Sequence, residues 1–353
     1  MIGVKLRKAR AATGWSLREL ATQLDDLVTA QAIGKYERNE DMPSSKVFMA
    51  LARALNVSMD YLMRDDVLAL EGIEFRKRSK SIKEEATIEA RTLLLIERYL
   101  DVEEMLGLNS VDWAQPRDYP LMSRSYDDAE NAAGKLREEW GLGTDPIPRL
   151  AELLEERGIK VLSIDLDSID GLAAKVLRRD QHAARVIVIR HNTWSERKRF
   201  SLAHELGHIV LAVGDGVDAE KAANRFAGAF LMPAESLRAE IGDRRRSISI
   251  GELTALKARF GVSLQALTYR CKDLEIISQS TFAQLFKTFS DRGWRSEPFE
   301  EPGSLPPDYE YPKRFERLCY RALAERIIGE SKATELLGIE VTELNARLNQ
   351  EVA

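Results

Sequence analysis

The chain has 353 residues, 44% of them hydrophobic, and a formal net charge of −5. That is enough apolar material for more than one core, so two or three domains are expected, and nothing in the composition points to disorder or a collagen-like repeat. No basic segment followed by an apolar core opens the chain, and no window approaches about 18 uninterrupted apolar residues. The expectation is a soluble cytoplasmic protein with no membrane span. Its acidic balance requires any affinity for nucleic acid to come from a local patch.

Residues 1–65 read as a compact all-α unit. Val4 to Ala12 is a basic amphipathic stretch, Ser16 caps a second helix over Leu17 to Leu24, and a third covers Thr29 to Arg38. Pro43-Ser44-Ser45 opens a fourth, with Val47, Phe48, Leu51, Ala52 and Leu55 as its apolar face, and Val57 to Leu62 closes the unit. Short helices with tight connections fit a helix-turn-helix and equally a plain helical bundle. Leu20-Ala21, Ile33-Gly34-Lys35-Tyr36-Glu37-Arg38 and Leu51-Ala52-Arg53-Ala54-Leu55-Asn56-Val57 resemble the Xre/Cro-like repressor helix-turn-helix. By that resemblance the third helix enters the major groove of a double-stranded DNA operator. Thr29, Ala30, Gln31, Gly34 and Lys35 then fall at its exposed front, where Gln31 suits adenine and Lys35 guanine or phosphate. The match has departures: Leu17 stands where Gln often touches phosphate, Asn39 where Gly usually follows the third helix, and Gly34 costs about 1 kcal/mol relative to Ala. Ten Lys/Arg against eight Asp/Glu in this unit imply weak non-specific affinity.

Residues 66–125 read as a basic and helical linker. Arg76-Lys77-Arg78-Ser79-Lys80-Ser81-Ile82-Lys83 carries five positive charges, either as a solvated face or as a secondary phosphate contact. Glu84 to Leu106 follows as a long helical pattern that can pack on the next domain or on a second subunit of a homodimer.

A new unit, residues 126–275, opens with amphipathic helices over Ala129 to Trp140 and Ile147 to Arg157. Lys160 to Ile164 and Ala184 to Ile189 are β-branched runs that read as strands, and Ile169-Asp170-Gly171-Leu172-Ala173 turns into a further short one. Then comes Arg199-Phe200-Ser201-Leu202-Ala203-His204-Glu205-Leu206-Gly207-His208. On a helix the His-Glu-x-x-His spacing sets His204 and His208 on one face, where they can share Zn²⁺, with Glu205 directed into the same space. The apolar flanks make a chance match on a solvated face the poorer reading. This helix is expected to end at Val213-Gly214-Asp215-Gly216 and a second to run from Asp218 to Leu231 before Met232-Pro233. So short a loop makes the two antiparallel, which lets Glu220 return as third ligand and Asn224, one turn on, orient a ligand.

Together with Glu220-Lys221-Ala222-Ala223-Asn224-Arg225-Phe226-Ala227 and Phe230-Leu231-Met232-Pro233, the segment from Arg197 to His208 resembles the ImmA/IrrE family of zinc metallo-endopeptidases. The resemblance implies zinc held by His204, His208 and Glu220, with Glu205 as general base. It also implies a repressor-type protein substrate, and a small sheet at whose edge a peptide can add as a strand. His191 remains a reserve ligand or transition-state donor, Tyr269 a candidate for the oxyanion, and His182 a loop residue.

Ile250 to Phe260 and Leu264 to Tyr269 read as core helices around a Gly261-Val262-Ser263 turn. Residues 276–353 read as a helical region with an irregular stretch around Gly293 to Pro298 and Pro302 to Pro312, then helix from Pro312 to Gly338 and a short last helix. Cys271 and Cys319 lack metal-type spacing and read as buried thiols. The fold class is therefore multidomain and mainly α: an all-α helix-turn-helix domain, an α+β zincin-like peptidase domain and a helical C-terminal region. The leading function is a DNA-binding transcriptional regulator that is also a zinc endopeptidase, cutting a repressor or itself. The alternatives are a non-catalytic repressor or antitoxin that uses the peptidase fold as a sensor, and a peptidase whose first unit binds a protein.

Overall fold

The computed structural model describes residues 2–64, 68–72, 81–108, 113, 118–165, 170–178, 181–296 and 299–349. Residues 76–80 of the basic run, Ile169, the His182 side chain and Glu297-Pro298 lie outside the described residues.

Five helices build the first unit: α1 (Ile2–Thr13), α2 (Leu17–Gln23), α3 (Ala30–Glu37), α4 (Ser45–Ala54) and α5 (Met59–Met63). Ser16, Thr29, Ser44 and Ser58 each cap the helix that follows, accepting a backbone N–H that the first turn leaves without a partner. Leu6, Leu20, Ile33, Leu51, Leu55 and Leu62 fill the core between them. Asn39 sits at φ 55° just after α3, a conformation that Asn tolerates better than most residues, and its Oδ1 accepts the Gly3 N–H at 2.8 Å. Gly3 is required by contact, because a Cβ there would lie 2.4 Å from the Glu37 carbonyl oxygen where α1 crosses the end of α3.

The chain continues through β1 (Ala69–Glu71), α6 (Ile82–Met105), β2 (Leu121–Ser123), α7 (Tyr126–Glu139), α8 (Leu150–Glu156), β3 (Ile159–Ile164), β4 (Gly171–Arg178) and β5 (Gln181–Arg190). The main sheet has the order β1-β4-β5-β3, with β3 parallel to β5 and β4 antiparallel to β5 and β1. Both of its faces are covered, and β5 accordingly carries an unbroken apolar run from Val186 to Ile189. Ile187 and Ile189 join one core, whereas Val186 and Val188 join another.

On the first face lie α9 (Ser195–Val210), β6 (Leu211–Val213), α10 (Ala219–Leu231), α11 (Ala234–Ile241), α12 (Ile250–Phe260), α13 (Leu264–Asp273) and α14 (Gln279–Asp291). The opposite face packs against α6 and the C-terminal helices α15 (Arg314–Ala324), α16 (Glu330–Leu337) and α17 (Val341–Leu348). α6 also touches the first unit, through a buried Lys5–Glu97 pair at 3.0 Å, and binds the sheet through Lys160–Glu103 at 2.7 Å. No helix among the described residues is long and apolar enough to cross a membrane.

The structure differs from the sequence reading in several places: β1 and β2 lie in the stretch read as a basic and helical linker, and the helix read from Pro312 to Gly338 is interrupted between Ala324 and Glu330, giving α15 and α16. α9 stops at Val210, because Leu211–Val213 turn extended and pair in parallel with Leu121–Ser123. Partners for that strand lie some ninety residues away, out of reach of any local pattern. α11 and α14 had no distinct expectation; Ser278 caps α14, whose Leu285, Phe286 and Phe289 enter the core. The irregular C-terminal stretch lies over the beginning of α9 and α8. Glu310 is fully buried and pairs with the Arg199 guanidinium at 2.5 Å, while accepting the Leu150 and Ala151 N–H groups at the start of α8. α8 has no side-chain cap of its own, so Glu310 supplies one from 160 residues away. Replacing Glu310 by Ala strands a buried guanidinium and two helix N–H groups, and is expected to cost about 3 kcal/mol or more. Chemical denaturation of the full chain reads this directly; a loss below about 1 kcal/mol would mean that the pair is replaceable by solvent.

Candidate metal centre

α9 is buried nearly all round, as befits a helix lying between a sheet and other helices. Gly207 allows α10 to come close: a Cβ on it would stand 3.2 Å from Ala223 Cα and 3.2 Å from Phe226 Cδ1. The two helices run antiparallel, since His204 meets Asn224 while His208, one turn further on, meets Glu220, one turn earlier. Asp218 caps α10 through the Lys221 N–H, which fixes Glu220 in its first turn beside α9.

Three ligand-type side chains converge. The Nε2 atoms of His204 and His208 are 3.0 Å apart, and the Glu220 carboxylate lies 3.4 Å from each. Ligands at about 2.05 Å on a tetrahedral zinc are separated by about 3.3 Å, so the three edges have the dimensions of one face of such a site. His204 is fully buried, His208 nearly so, and Glu220 half exposed, which leaves the centre open on the Glu220 side. The Asn224 Oδ1 lies 2.9 Å from His204 Nδ1. Its acceptor oxygen selects the tautomer with the proton on Nδ1 and turns the Nε2 lone pair toward the centre. Donor set, spacing and tautomer all fit a zinc-type cation. Among the described residues this is the one group of three or more His, Cys, Asp or Glu able to hold a metal.

Glu205, next in sequence to His204, is buried, and its carboxylate abuts Gly171 at the start of β4. Next to it, Asp170 forms a two-point pair with Arg197 of α9, at 2.6 and 3.3 Å. Asp170 and Gly171 entered the sequence reading only as a turn; the signal available was a glycine immediately before an apolar run. His191 lies apart from the trio. Its Nδ1 is 3.2 Å from Ser163 Oγ, and its ring meets Tyr311 edge-on. Tyr269 is half exposed and packs against Phe282 and Phe286. Burial pushes the Cys271 and Cys319 thiols up to about 12, so both stay protonated as apolar filler.

In the first unit, α2 and α3 are joined by a tight turn, and Thr29, Gln31 and Lys35 are exposed on α3 with Ala30 half buried. Gly34, expected at the exposed front, is instead buried. It faces α2, where a Cβ would lie 3.4 Å from Leu17 Cδ1 and 3.3 Å from Arg38 Nη1. Its role is to let α3 approach α2, which also accounts for Leu17 at a position where a polar residue is common.

Residues 6–62 match a family model described as Helix-turn-helix. Residues 154–272, which hold the main sheet's β3 to β5, α9 and α10, match the IrrE N-terminal-like domain of the Peptidase_M78 family. Comparison with curated proteins gives no match. The chain thus joins an N-terminal helix-turn-helix domain to a metallopeptidase-like domain of the ImmA/IrrE type.

Proposed function

We propose that this protein is a DNA-binding regulator and a zinc-dependent endopeptidase of the cytoplasm, which cuts a repressor-type protein, or its own chain, to switch gene expression. The observation that carries the enzymatic half is the convergence of His204, His208 and Glu220 at tetrahedral spacing with a buried carboxylate, Glu205, on the same helix. A site that only used metal to hold the fold has no need of that carboxylate.

Bound by the trio, zinc supplies a Lewis acid that polarises the scissile carbonyl and acidifies water near neutral pH. Glu205 takes the proton from the attacking water and passes it to the leaving amine. Asn224 holds the His204 ring and its tautomer. The half-exposed Glu220 leaves the approach open to an extended peptide. The DNA-binding half rests on the helix-turn-helix match and on Gln31 and Lys35, both exposed on α3 with Thr29 at its cap. A palindromic operator follows if the chain pairs as a homodimer.

Each full-length chain is expected to bind one zinc, lost on His204→Ala or His208→Ala and weakened on Glu220→Ala. Asn224→Ala should lower affinity about 10- to 100-fold in chelator competition. Unchanged metal content in all four variants would overturn the centre. Glu205→Gln keeps shape and metal but removes the base, so it should abolish cleavage of repressors encoded nearby, read by mass spectrometry on matched zinc-loaded proteins. If neither protein cleaves any of them, with or without operator DNA, the sensor reading takes over. Gln31→Ala should relax operator specificity at one base pair by about 1 to 3 kcal/mol, measured by competitive binding to a set of substituted sites.

A further inference from the structure

Gly171, the first residue of β4, has no positive φ that would call for glycine. What calls for it is space. A Cβ at this position would lie 2.8 Å from Glu205 Oε1, 2.9 Å from its Cγ and 3.2 Å from its Cδ. Contacts below about 3 Å are not sustained between carbon and these atoms, so one partner has to move.

The strand has little freedom to retreat. Gly171 is paired with Ile189 in the antiparallel ladder to β5, and the neighbouring Asp170 is tied to Arg197 of α9 by two hydrogen bonds. Leu172, the next residue, is 1% exposed within the core shared with α6. The backbone of α9 is fixed on its other side by the Gly207 contact with α10. Between two fixed backbones, the end of the Glu205 side chain is the part that yields.

Resting on the reading of Glu205 as proton carrier, we infer that Gly171 is its positioning residue: the side chain that β4 lacks is the room in which the carboxylate is held beside the metal ligands. Asp170 and Arg197 keep that room at fixed size by clamping the strand start to the helix. The chemistry belongs to Glu205; Gly171 sets where its oxygens stand.

The test compares five full-length proteins: wild type, Gly171→Ala, Glu205→Ala, the double variant of these two and, for cleavage, Glu205→Gln. With Glu205 present, Gly171→Ala should lower the melting temperature by several degrees. With Glu205 cut back to Ala, the same substitution should cost little, because the Cβ then has space. Equal losses in both backgrounds would overturn the inference. Zinc content should stay at one per chain in Gly171→Ala; its loss would place the effect on the ligands and likewise overturn the inference. With any repressor the wild type cleaves, Gly171→Ala should lower kcat about 100-fold or more with KM changed less than about threefold, as expected for a misplaced proton carrier. Full activity of Gly171→Ala beside an inactive Glu205→Gln would refute the positioning role alone. Wild-type cleavage by Glu205→Gln would remove the base role itself, with the melting comparison still deciding the contact.

Discussion

The close approach of α9 and α10 at Gly207 is the constraint on which the site depends. Two imidazoles one turn apart define only a direction; the carboxylate of Glu220 joins them because a residue without a side chain lets the facing helix come to contact distance at Ala223 and Phe226. Antiparallel packing then sets Glu220 against both histidines and Asn224 behind one of them. A bulkier residue at 207 would widen the crossing and draw Glu220 away from the two histidines.

Buried charge organises the regions around this crossing. α6 holds the helix-turn-helix unit through Lys5 and Glu97, with Arg91 and Arg98 donating to the Ala12 and Asn56 carbonyls, and it holds the sheet and α15 through Glu103 with Lys160 and Arg314. Such pairs add little net stability against well-packed apolar groups, but removing one partner leaves a buried charge uncompensated.

The C-terminal stretch plays the corresponding part at the other end of α9. Glu310 neutralises Arg199. Lys257 lies between Glu196 and Glu301, at 2.8 and 3.0 Å, and Glu301 also accepts the Leu264 N–H. Ser195 donates to the Pro306 and Pro307 carbonyls. Residues beyond the matched peptidase-family region are thus built into the seat of the helix that carries His204 and His208.

What the sequence determined alone was whatever repeats with local period. The helical spacing of His204, Glu205 and His208, the β-branched strands, the Ser and Thr caps of the first unit and the short loop before Glu220 all act within a few residues, and each is visible as a pattern. Tertiary structure decided matters that depend on what lies opposite. Leu211–Val213 continue a helical pattern but become a strand because Leu121–Ser123 offer backbone partners. Gly34 lies on the helix expected to face DNA but is turned toward Leu17 by the packing of α3 on α2. Glu310 caps a helix 160 residues before it, and Gly171 leaves room for a carboxylate on a helix two elements later. Periodicity records which way a side chain points along its own element; which atoms it meets is fixed only when distant backbones are brought within a few ångströms.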